Sequence, residues 1–107
     1  MLVADTDAEA RELALPEVWA MVRSRRTGVF DSLEPVAAIR DRRWDDQDTD
    51  RVGRGVDAVT AGGPTTVRRR LEQLVDRTGA DELLVSGATY DRAALAASDA
   101  SLAALLV

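Results

Sequence analysis

Two short turns hold the residues best suited to chemistry. The first is Thr60-Ala61-Gly62-Gly63-Pro64-Thr65-Thr66. A strand-like stretch feeds two glycines, and Pro64 stands where a helix opens. Helix starts leave unpaired backbone N–H groups, which bind anions, phosphate above all. The same glycines equally serve a tight turn with close helix packing and no ligand. No lysine follows, as it would in a P-loop. The second turn is Ser86-Gly87-Ala88-Thr89-Tyr90-Asp91, which supplies hydroxyls, and Gly87 permits close approach. Helix capping explains Thr89 and Asp91 without a ligand. Gly62, Gly63, Thr65, Ser86 and Gly87 are the candidate binding residues. The chain has no histidine and no cysteine, so it builds no Ser-His-Asp triad, thiol nucleophile or typical zinc site. No catalytic residue and no metal ligand is assigned. Asp46, Asp48 and Asp50 imitate the start of a calcium loop, but Arg51 stands where that loop needs glycine. Any catalysis falls to a cofactor.

The elements that position these turns follow from spacing. Val56–Thr60 predicts a short strand. Thr65–Thr78 carries Val67, Leu71, Leu74 and Val75 at helical intervals, and Gly79 ends it. Leu83-Leu84-Val85 reads as a buried strand. Strand, helix and strand make a parallel βαβ unit, which puts both turns at the carboxyl end of one sheet. Upstream, Thr6-Asp7-Ala8-Glu9 is a capping box. Its helix turns Ala10, Leu13, Ala14, Val18, Met21 and Val22 inward, with a kink or break expected near Leu15 because of Pro16. Gly28 closes it, and Ser32 caps a shorter helix from Leu33 to about Arg43. Residues 41–55 are charge-dense and predict an exposed acidic loop. Trp44 lies in this polar stretch, either as a contact residue or as the anchor of the loop. Asp91 or Thr89 caps a last helix reaching about Leu106.

Ala61-Gly62-Gly63-Pro64-Thr65-Thr66-Val67, then Thr78-Gly79-Ala80-Asp81-Glu82-Leu83-Leu84-Val85, resembles the carboxyl-terminal segment of luciferase-like flavin-dependent monooxygenases. The opening Val3-Ala4-Asp5-Thr6-Asp7-Ala8-Glu9-Ala10-Arg11 is similar to another segment of that family, a strand end leading into a helix. Gly63 stands where the family usually has Ser or Thr, and Thr65 where it has an acid. The resemblance implies an α/β fold, the last two or three parallel strands of a (β/α)8 (TIM) barrel with their helices, Met1-Leu2-Val3 being the tail of the third strand. It also implies FMN or the deazaflavin F420 as cofactor and a small-molecule substrate. A whole barrel takes about 250 residues, and this chain has 107. The expectation is a single domain over residues 1–107 that is inactive alone, completed by a second copy or a complementing chain. The alternative is a non-catalytic α/β remnant that serves self-association.

Composition bounds the rest. Hydrophobic residues make up 46%, enough for a core. The net charge of −5 argues against nucleic acid, which needs a basic face. All 14 basic residues are arginine, and Arg23/Arg25/Arg26, Arg40/Arg42/Arg43 and Arg68/Arg69/Arg70 read as solvated helix faces. No apolar run approaches 18 residues, so no membrane span is expected. The start lacks the features of a signal peptide, and a cytoplasmic location is expected.

Overall fold

A computed structural model describes residues 1–106. About 64% of the chain is helical around one two-stranded sheet. The element order is β1 (Leu2–Val3), α1 (Asp7–Thr27), α2 (Val36–Arg40), α3 (Asp46–Ala58), β2 (Ala61–Gly62), α4 (Pro64–Thr78) and α5 (Arg92–Leu105). β1 and β2 run parallel, with Leu2 opposite Ala61 and Val3 opposite Gly62. Because side chains alternate along a strand, the two strands feed two cores. Leu2 and Ala61 pack with Ala10 and Ala14 of α1. Val3 packs with Val67 and Leu71 of α4 and Leu102 of α5. A third core is wholly helical, from Leu15, Val18, Trp19 and Val22 of α1, Ile39 of α2, and Val52 and Val56 of α3. Among the described residues no helix is long and apolar enough to cross a membrane.

This architecture corrects the expected partial (β/α)8 barrel. Neither strand of the expected pair forms. Ala58 ends a helix, and Leu84 lies outside any strand with its side chain wholly exposed. The reason for the first lies in period. Val52, Val56 and Val59 recur at helical intervals and pack on α1, and that contact overrides the local β preference of valine. The second failure lies at the open edge of β1. There the Val3 amide, which a third strand would pair, donates instead to the buried Ser98 Oγ at 2.8 Å. The Met1 amino group donates to the Ser86 carbonyl at 2.6 Å, and no ladder follows.

The acidic loop expected over residues 41–55 is instead mostly α3. The Asp45 carboxylate accepts from the Asp48 amide at 2.7 Å, and the Asp48 carboxylate accepts from the Asp45 amide at 3.3 Å. The alternating aspartates are therefore a capping box. Ser32 caps nothing. Pro35 pushes Glu34 out of helical geometry, so α2 starts at Val36 and spans five residues. α1 runs unbroken through Pro16, whose ring is fully buried among the packed face of the helix. Met21, expected inside, is 45% exposed. The Gly28 and Gly79 left-handed caps, Pro64 at the start of α4 and the Asp91 cap of α5 stand as expected, whereas the Thr6–Glu9 capping box is half formed: Thr6 accepts from the Glu9 amide, and among the described residues Glu9 makes no return bond.

Candidate functional site

β2 ends in Gly62, and Gly63 caps α4 with no side chain of its own to satisfy the free amides. A carboxylate from far along the chain takes one of them. Asp7, in the first turn of α1, accepts from the Gly63 amide at 2.7 Å through Oδ1 and from the Thr66 hydroxyl at 3.0 Å through Oδ2. The glycines make room for it. A Cβ at Gly62 would stand 2.8 Å from both Asp7 Oδ1 and Thr66 Cγ2. The Gly63 amide holds the Asp7 carboxyl below its ordinary value, the Thr66 hydroxyl adds to this, and Arg69 and Arg70 pull weakly the same way against desolvation. A carboxylate of the protein itself thus holds the Gly63 amide of this turn. Thr65 is exposed at its rim.

Ser86 and Gly87 lie elsewhere. The Ser86 carbonyl accepts from the Met1 amino group, and a Cβ at Gly87 would stand 2.7 Å from the Met1 carbonyl oxygen. Met1 opens β1, whereas Gly62 ends β2 and the two strands are parallel. The two candidate turns therefore sit at opposite ends of one short sheet. The expectation that a ligand bridges them is corrected: it required Leu83-Leu84-Val85 to be a strand leading into Ser86. Ser86 and Gly87 instead line an open cavity of about 530 Å3 with Met1, Thr60 and Glu17. Burial lowers the Met1 amino pKa there, with Glu17 and then Asp99 opposing the shift.

Asp7 is the residue that sequence reasoning passed over, because it stood inside a capping box that already explained it. The missing hydroxyl at Gly63 was the available signal, since an uncapped helix start needs an acceptor from elsewhere. Trp44 resolves as an anchor. Its indole donates to the Ile39 carbonyl at 3.1 Å, and its ring stacks on Trp19 with centroids 5.4 Å apart. Among the described residues no group of three or more His, Cys, Asp or Glu side chains is arranged to hold a metal ion.

No family model matches this chain, and no solved structure does. A curated protein of Bacillus subtilis (strain 168), the uncharacterized protein YvbT, is 29% identical over 93 residues. That match covers 87% of this chain and 27% of YvbT, so the chain spans about a quarter of the length of the curated relative it matches.

Proposed function

We propose that this chain carries out no reaction alone and works by pairing with a second copy of itself. One observation carries the reading, an open groove of about 380 Å3 between α4 and α5. Leu71, Val75, Leu83, Leu105 and Leu106 line it, with Arg68, Glu72 and Asp76 around them. Val75 and Leu106 are large, exposed apolar side chains, and Leu84 beside Leu83 is exposed completely. Arg68, Glu72 and Asp76 put both signs of charge on one groove, which suits an isologous interface, where the same patch faces itself. The Asp7 carboxylate in the glycine turn favours the same reading, because it competes with any phosphate offered there. Size exclusion with light scattering and ultraviolet–visible detection tests it. The wild-type chain is expected at twice 11.6 kDa and colourless. Val75→Arg is expected at 11.6 kDa with unchanged circular dichroism. A wild-type chain of single mass at every concentration rejects the pairing.

The greater length of YvbT favours a second reading. In it, the chain is a portion of a luciferase-like flavin-dependent oxidoreductase or monooxygenase that uses FMN or F420 once other segments complete it. A saturable change in flavin absorbance on titration with FMN or F420 would support this reading. A cytoplasmic location belongs to both readings, and fractionation of expressing cells checks it.

A further inference from the structure

Two of the three arginine clusters, far apart in the sequence, meet in space. Arg23 and Arg26 project from α1, and Arg42 and Arg43 come from the segment between α2 and α3. With Trp19 and Asp48 they line a cavity of about 310 Å3. Ligand sites begin near this size, about 300 Å3. Arg23 and Arg42 share Glu34, at 3.6 Å and 2.7 Å. Arg26 bridges Asp45 at 2.9 Å and the buried Asp48 at 2.8 Å. Among the described residues Arg43 has no carboxylate partner. Four guanidiniums therefore face three carboxylates, a local positive surplus on a chain of net charge −5.

Trp19 supplies the aromatic wall of the cavity. Trp19 is 6% exposed, and its Nε1 is buried with no hydrogen-bond partner among the described residues. The Glu34 carboxylate nonetheless lies close enough for the indole N–H to help Arg42 and Arg23 hold its pKa down. An anion entering the cavity would meet the unpaired guanidinium of Arg43. Guanidinium forks match the paired oxygens of phosphate and carboxylate groups.

We propose that this cavity binds a small oxyanion, a phosphate or carboxylate group held by Arg42 and Arg43 beside the Trp19 wall. The stacked Trp19–Trp44 pair reports occupancy directly through its emission. The test titrates inorganic phosphate and, separately, citrate into the full chain at ionic strength held constant with sodium chloride. The two arms distinguish a phosphate group from a carboxylate. At least one anion is expected to change tryptophan emission saturably and to raise the melting temperature. Arg43→Gln is expected to weaken that binding roughly tenfold or more, the effect of losing one charge-assisted contact. Arg69→Gln, on α4, should leave it unchanged. Arg43 makes no ion pair among the described residues, so its replacement spares the fold, whereas Arg42→Gln would break the pair with Glu34. Failure of both anions to act beyond sodium chloride overturns the proposal, as does wild-type binding in both arginine variants.

Discussion

The carboxylate of Asp7 joins the start of α1 to the start of α4 through the Gly63 amide and the Thr66 hydroxyl. Those bonds stabilise the charged form, so the folded pKa lies below the ordinary value of 3.8. A depressed folded pKa gives stability that is fully present above the unfolded pKa and is lost as pH falls through the folded one. Asp7→Ala should therefore melt a few degrees below wild type at neutral pH, and the gap should close in acid. Thermal melts across that range check both parts. Ser98 is a second residue acting at a distance. Its Oγ is buried and accepts from the Val3 amide. Ser98→Ala strands that amide, at a cost of about 1–3 kcal/mol, measurable by urea unfolding.

At the scale of elements, α3 shows both what the sequence declared and what it concealed. Its two glycines have opposite reasons for being there. A Cβ at Gly53 would meet nothing within 4 Å, whereas a Cβ at Gly55 would lie 2.6 Å from Val18 Cγ1. Gly53→Ala should therefore stabilise by about 0.5–1 kcal/mol, the helix cost of glycine. Gly55→Ala should destabilise by about 1–3 kcal/mol through overpacking against α1. Chemical denaturation of the pair reads both signs. From sequence, helices with a cap residue and an uninterrupted apolar stripe were legible: α1, α4 and α5 have the ends that Thr6, Gly28, Pro64, Gly79 and Asp91 announce. α3 was not, because its apolar face is only Val52 and Val56 and its glycines imitate a loop. The expected strand at Leu83-Leu84-Val85 fails because local apolar character says nothing about who occupies the neighbouring edge. Of the candidate site, the glycine turn was legible as a helix start. Its occupant was not, since Asp7 is 56 residues away from Gly63.

The whole molecule is elongated. Its radius of gyration is 14.5 Å, against about 13 Å for a compact domain of this length. The extents are 41 × 28 × 22 Å. Such a shape spreads its apolar groups over three small cores and leaves the α4–α5 groove open. Dilution followed by light scattering should give a mass that falls towards the single chain, because pairing through one modest groove is concentration-dependent. At the glycine end of the sheet, by contrast, the chain's own Asp7 holds the Gly63 amide, and that amide reads its occupancy. The measurement is the Gly63 amide proton resonance, followed from about pH 7 down to about pH 2 and then with FMN added. Occupancy by Asp7 predicts an inflection below 3.8, the ordinary value for that carboxyl, and no movement with FMN. A resonance indifferent to acid, or one that shifts saturably with FMN, would contradict it.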